Sequence, residues 1–246
     1  MKKKEQKFSI SNYKKLLDYI KSAKLNFKSF GDNLAKGQNI IMRHDIDFCP
    51  KRALDLAKIE KEKSVSATYF FLINTEFYNV NTFSNQIILR KIISLGHEIG
   101  LHFDPSFYSG EDNLNLSCKR EITILEKIIS KKINIISFHR PSKIMLKLDK
   151  KLAGCNHTYM RKFIKDIDYC SDSQGRWRYK TPIEIIEENK NNSSFTLHLL
   201  THPIWWTSPA NIAPEEKIDF YLKKKYLSSK KLAAKNCKPY SKYLKN

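Results

Sequence analysis

Acidic residues are scarce in this chain: 25 Asp plus Glu stand against 45 Lys plus Arg in 246 residues, a formal net charge of +20. Clustered positive charge marks nucleic-acid binding, because Lys and Arg displace counterions from phosphate. Here the lysines are spread along the whole chain and form no Lys/Arg stripe interleaved with aromatics, so their distribution argues against a nucleic-acid partner. Long apolar runs are missing as well. Tyr69 to Ile73 is the longest useful candidate, far short of the ~18 to 20 residues a membrane-spanning helix needs. The basic start, Met1-Lys2-Lys3-Lys4, has no apolar stretch behind it and no small-residue cleavage site, so it does not read as a secretory signal, and a cytoplasmic location is expected. The five cysteines, Cys49, Cys118, Cys155, Cys170 and Cys237, are scattered, odd in number and without CxxC spacing, which excludes a disulfide framework or a thiolate zinc cluster. With no internal repeat, low-complexity linker or Pro/Gly-rich boundary, residues 1–246 read as one domain.

What is present is a 41% hydrophobic fraction, enough for one substantial core and incompatible with intrinsic disorder. Short apolar runs alternate with longer amphipathic ones, the pattern of βα units around a largely parallel sheet. Strands are predicted at 39–43, 65–73, 97–103, 133–138, 167–170 and 195–200. Helices are predicted at 11–21, 51–63, 85–95, 117–131, 183–189 and 214–227.

Polar residues gather at the carboxyl ends of these strands, where parallel sheets carry their active sites. In Arg43-His44-Asp45-Ile46-Asp47 the strand alternation puts Asp45 and Asp47 on one side, where two carboxylates can divide the work of metal ligand and base. His102 shares a face with Glu98, Gly100 and Asp104, whereas His97 falls on the apolar face with Ile99, Leu101 and Phe103 and reads as structural. The fourth strand ends in His139-Arg140-Pro141. The last carries His198 and His202 on one face, with His202 nearer the mouth.

These segments, in this order, resemble the polysaccharide deacetylases of the NodB-homology type, carbohydrate esterase family 4. The likeness runs from about Asn39 to Trp206. His44-Asp45-Ile46-Asp47 is similar to the first motif, Gly96 to His102 to the lead-in of the second and His139-Arg140-Pro141 to the third. Asp172 to Trp177 is similar to the fourth and Leu200-Thr201-His202 to the fifth. The resemblance implies an α/β fold, a distorted (β/α)7 barrel with a motif core over 39–206 and a basic helical tail over 214–246. It also implies hydrolysis of an N-acyl group, N-acetyl foremost, on an amino sugar, with Zn²⁺ or a similar divalent ion as cofactor.

Residue by residue, Asp45 would be the base, Asp47 and His102 metal ligands, His202 the acid and Arg140 the partner that orients Asp45. Asp172, Trp177, Trp205 and Trp206 would meet the sugar. Two positions depart from the family pattern. Ser106 stands where the second motif has its second histidine, leaving the third ligand to Asp104 or His139. In the third motif the spacing to Pro141 falls on His139, whereas the residue type falls on Arg140. With no export signal, the substrate expected is a nucleotide- or lipid-linked precursor of a surface glycan. The rival reading is a degenerate barrel that binds a glycan or assists its synthesis. The basic tail, in which Lys223, Lys224, Lys225, Lys230 and Lys231 lie among Leu222, Tyr226 and Leu232, suits contact with an anionic membrane or a phosphate-bearing substrate, or else a solvated helix with a frayed end.

Overall fold

The structure, a computed structural model, describes residues 8–244; Met1 to Lys7 of the basic N-terminus and Lys245 of the tail lie outside the described residues. In chain order the elements are α1 (Ile10–Ser22), β1 (Asn26–Lys28), β2 (Gly37–Ile46), α2 (Pro50–Glu62), β3 (Thr68–Leu72), α3 (Phe83–Ser94), β4 (Glu98–Phe103), α4 (Glu111–Ile129) and β5 (Ile135–Phe138). They continue with β6 (Asn156–His157), α5 (Arg161–Ile164), β7 (Asp168–Ser171), α6 (Pro182–Glu188), β8 (Ser194–Thr201), α7 (Pro203–Trp206), α8 (Pro214–Asn236) and α9 (Lys238–Tyr243). Seven strands pair in the order β6-β5-β4-β3-β2-β8-β7, and β1 pairs with the first half of β2. All the ladders are parallel, as the alternation predicts, and among the described residues none joins β6 to β7, so the sheet forms the open, distorted barrel that the resemblance implies.

The helices form for local reasons. Ser9 accepts from the Asn12 amide at the start of α1 and Thr82 from Asn85 at the start of α3, while Thr181 and Glu184 close a capping box on α6. The helices α1, α2 and α4 each bury one apolar stripe, as Leu16, Leu17 and Ile20 do on α1. Several ranges differ from the sequence reading by three residues or more: β2 runs to Ile46, β3 begins at Thr68, α4 begins six residues earlier than Ser117, and α8 continues to Asn236. The stretch after Pro141, which carries no clear periodicity, contributes the two-residue β6.

Alternation sorts the strand residues between two environments. Ile40, Met42, Tyr69, Phe71, Leu101, Phe138, Leu197 and Leu199 face the helices in the main core. Their neighbours face the barrel interior. There Ile41, Phe70, Ile135 and Phe163 meet Phe30, which dips in from the loop after β1, and together they plug the amino end. Gly100 lets this plug close: a Cβ there would stand 2.4 Å from the Phe70 ring and 2.9 Å from the Ile135 carbonyl oxygen. Above the plug lie Arg43 and His198, both fully buried, and above them opens the mouth. His198 accepts no proton readily: burial pushes it down to about 3, and its Nδ1 lies 2.9 Å from the Phe163 carbonyl oxygen. It belongs to the interior packing below the mouth.

Candidate metal centre

Three strands deliver three donors to one point. Asp47 follows β2, His102 lies near the end of β4 and His139 follows β5, each on the interior side of its strand. Asp47 Oδ1 is 3.3 Å from His102 Nε2 and 3.5 Å from His139 Nδ1, and the donor atoms of the trio lie within 4.8 Å of one another. Asp47 Oδ1 is buried and has no hydrogen-bond partner. A solvent-shielded carboxylate oxygen without a donor is costly unless a cation completes it. One carboxylate oxygen and two imidazole nitrogens form a donor set suited to zinc or a related divalent ion.

The surroundings set the orientation of each donor. His102 Nδ1 lies 2.6 Å from Ser137 Oγ, and Ser137 in turn donates to Asp45 Oδ1 at 3.5 Å. With Nδ1 carrying the proton toward Ser137, Nε2 is left free to face Asp47. His139 is fixed through its backbone, which donates to the Phe103 carbonyl at 2.7 Å, and burial lowers its affinity for a proton. Burial would raise Asp47, but His102, His202 and His139 outweigh it and hold the carboxyl below its ordinary value.

Asp45 lies beside the trio, its Oδ2 3.7 Å from His102 Nε2. Its partner is Arg43, not Arg140. Arg43 Nε donates to Oδ1 at 2.8 Å and Nη2 to Oδ2 at 2.7 Å, a bidentate clamp with both side chains buried. Burial opposes the charge on Asp45, yet Arg43 overcomes it and holds the carboxyl far below the usual range. Arg140 instead grips Asp104, its Nε 3.1 Å from Oδ2, while the Ser106 hydroxyl and amide take Oδ1. Asp104 is thus fully engaged as the cap of a short turn and does not join the trio, and Ser106 serves that turn.

Across the mouth stands His202, whose Nε2 is 3.9 Å from Asp47 Oδ2. Asp172 accepts from the His202 backbone amide at 3.0 Å and lies 2.6 Å from its Nδ1. Burial works against protonation of His202, but Asp172, then Asp47 and Asp45, push its pKa up to about 9. This corrects the sequence reading of Asp172 as a sugar contact: it is wholly buried and spent on His202 and on the Trp206 indole, which donates to it at 2.8 Å. The tryptophans are corrected too. Trp206 is fully buried, edge-on to Phe8; Trp205 is buried beneath α8; Trp177 packs against Phe8 and Trp206. The rings of Trp177 and Trp206 pack on each other and on Phe8.

Four contributors carry no role in the sequence reading. Arg43 was visible in principle: it lies two residues before Asp45 on a buried strand, and a buried arginine needs an acid on its own face. Ser137 stands in the same relation to His139. The other pair is an anchor beneath the mouth. His44 Nδ1 is 2.6 Å from Thr201 Oγ1, and His44 Nε2 is 2.7 Å from Glu60, a fully buried carboxylate that also accepts from Tyr13 and Tyr69. His97, read as structural, bonds through Nε2 to the Ala57 carbonyl oxygen at 3.0 Å beside Glu60. This network ties β2 to β8 where Asp45 and His202 emerge.

No protein-family model and no curated protein matches the sequence. Solved structures do. A Bacillus anthracis BA3943 mutant, described as a CE4 family pseudoenzyme with restored enzymatic activity, is 14% identical with a TM-score of 0.40, over 77% of this chain and 63% of its own. This chain therefore spans less than two thirds of that protein's length. The Streptococcus pyogenes deacetylase PplD in complex with acetate is 11% identical with a TM-score of 0.48, over 88% of each chain. The chitin deacetylase of Colletotrichum lindemuthianum is 17% identical with a TM-score of 0.42, over 80% of this chain and 88% of its own.

Proposed function

We propose that this chain is a divalent-metal-dependent hydrolase that removes an N-acyl group, N-acetyl foremost, from an amino sugar. The observation that carries the reading is Asp47 Oδ1: buried, without a donor, and facing the nitrogens of His102 and His139. The motif order that resembles carbohydrate esterase family 4 supports it from an independent direction. Asp47, His102 and His139 would hold the ion, and a divalent cation there supplies Lewis acidity to an acyl carbonyl and to water.

The chain's own residues divide the proton transfers. Asp45, kept ionised by Arg43, accepts the proton that leaves water as its oxygen attacks the acyl carbon. His202, kept protonated by Asp172, gives its proton to the nitrogen as the C–N bond breaks. An amine leaves poorly unless protonated, so an acid facing the base is a chemical requirement, and each transfer contributes on the order of 10² to 10⁴ in rate. The reading extends to a nucleotide- or lipid-linked precursor of a surface glycan as the substrate.

A second reading, glycan binding without turnover, draws on the strength of the Arg43 clamp, which makes Asp45 a weak base. Acetate release from a panel of N-acetylated sugar donors, with and without a chelator, separates the two. Chelator-sensitive release that is lost in Asp45→Asn, with metal binding retained, supports the hydrolase. Sugar binding with no release supports the second reading, and a chain that takes up no divalent metal ends the first.

A further inference from the structure

The first half of α8 is bound along the rim of the mouth. The Lys217 ammonium donates to the Trp205 and Phe8 carbonyls at 2.8 and 2.6 Å, Tyr221 donates to the Phe48 carbonyl at 2.7 Å, and Lys225 donates to the Glu76 carbonyl at 2.8 Å. Phe48 and Glu76 lie on the loops after β2 and β3, and Trp205 lies on α7, which directly follows β8, so all three stand past the carboxyl ends of barrel strands. The helix therefore crosses the catalytic end of the barrel, from the β8 side toward the β3 side.

Charge is segregated along α8. Glu215, Glu216 and Asp219 sit in its first turns, whereas residues 222–246 carry nine lysines and no acid. Beyond Lys225 the apolar side chains lose their cover: Tyr226 is 62% exposed, Leu227 56% and Leu232 63%. Scattered exposed leucines need no explanation, but two leucines and a tyrosine within a stretch of helix that bears lysines and no acid combine the apolar and basic surface that a lipid interface uses. The same end of the barrel offers a second apolar and basic group across the mouth. On the loop after β5, Ile144 is 80% and Leu146 46% exposed, beside Lys143 and Lys147. A polynucleotide would use the lysines and leave the leucines and isoleucine unused; a lipid surface uses both.

We propose that the distal half of α8 and the loop after β5 seat this chain on an anionic lipid surface, with the mouth of the barrel toward the bilayer. The surface is peripheral: no helix among the described residues is long and apolar enough to cross a membrane. Lysines above the headgroups draw the protein to the bilayer, and Leu227, Leu232 and Ile144 enter the headgroup boundary. The docking itself stands apart from the hydrolase reading. Its consequence for substrate, that the sugar reaches the site on a lipid carrier, rests on that reading.

Co-sedimentation of the full chain with vesicles tests it. Binding is expected to phosphatidylcholine vesicles containing about one third phosphatidylglycerol and not to phosphatidylcholine alone, and to weaken as salt is raised. Charge reversal of Lys230, Lys231 and Lys235 to Glu should lower partitioning about a hundredfold, and the exposed pair Leu227→Ser with Leu232→Ser about tenfold, with the circular dichroism of both variants unchanged. Asp47→Ala should partition as wild type, so a failure of the metal site leaves this result standing. Equal binding to both vesicle types, no binding to either, or duplex DNA binding that the leucine variants leave intact while vesicle binding is absent, would each overturn the proposal.

Discussion

Arg43 and Asp45 lie two residues apart on one strand, and the guanidinium of the first holds both carboxylate oxygens of the second inside the barrel at 2.8 and 2.7 Å. The arginine has little else: Nη1 is buried without a partner, and the cation lies over the rings of Tyr159 and Phe70 at 5.2 and 5.5 Å. Neither charge tolerates loss of the other, since a lone buried charge keeps its desolvation cost. Arg43→Met should lower the unfolding free energy by about 3 to 5 kcal/mol, read from urea denaturation, and Arg43→Met with Asp45→Leu should lose less than the sum of the single changes. Additive losses would show that the pair is not the unit described.

The trio can be separated from its acidic neighbour by metal uptake alone. Asp47→Ala and His139→Ala should each weaken zinc binding at least about a hundredfold by calorimetry, whereas Asp104→Asn should leave it near wild type, because Asp104 is committed to Arg140 and Ser106. Zinc should also raise the Tm of the wild-type chain and of Asp104→Asn, but not of Asp47→Ala. Equal loss in all three variants would return Asp104 to the ligand set.

His202 owes its charge to Asp172. Its pKa in the folded chain is pushed up to about 9, so the pair's contribution to stability is full below the ordinary histidine value and is lost as pH rises through about 9. In metal-free protein, Asp172→Asn should move the His202 titration, followed by NMR, down by more than about one unit. The stability gap between wild type and variant should be widest at about pH 5 to 6, below the ordinary histidine value, and shrink as pH rises from there through about 9. An unmoved titration would assign the charge to Asp47 and Asp45 instead.

Glu121 presents the opposite sign. Burial, with Asp104 adding to it, pushes its carboxyl up to about 7 against the hydrogen bonds from Tyr108 at 2.8 Å and Asn74 at 2.7 Å. The folded chain therefore holds this proton more tightly than the unfolded one. Stability is full below the ordinary glutamate value and falls as pH rises from there through about 7. Glu121→Gln, which keeps an acceptor for both donors, should match wild type near about pH 4 and exceed it by on the order of 2 kcal/mol near about pH 8. A constant difference across that range would mean the carboxyl titrates normally.

The alternation of β2 and β4 was enough to place Asp45, Asp47 and His102 on one side and His97 on the other, and the inward position of Gly100 followed from the same period of two. The partners were harder. Arg140 supplies the residue type of the third motif one position away from its spacing, and its backbone adopts a positive φ of 47° while the side chain turns to Asp104. Glu60, sixteen residues beyond His44 on a helix whose other lysines and glutamates face water, has no local sign of being buried.

Which side chains look into the barrel is a property of each strand alone, because successive residues point to opposite faces whatever the strand packs against, and the order of residues settled that much. Which of them meet is not local. The parallel register sets Asp45 beside Phe70 and His102 beside Ser137, and the curl of the sheet then brings the ends of β2, β4 and β5 within reach of one another. Only that closure chose His139 over Asp104 for the trio, gave Asp45 to Arg43 and turned the tryptophans inward, since each choice rests on distances between strands and no sequence spacing contains them.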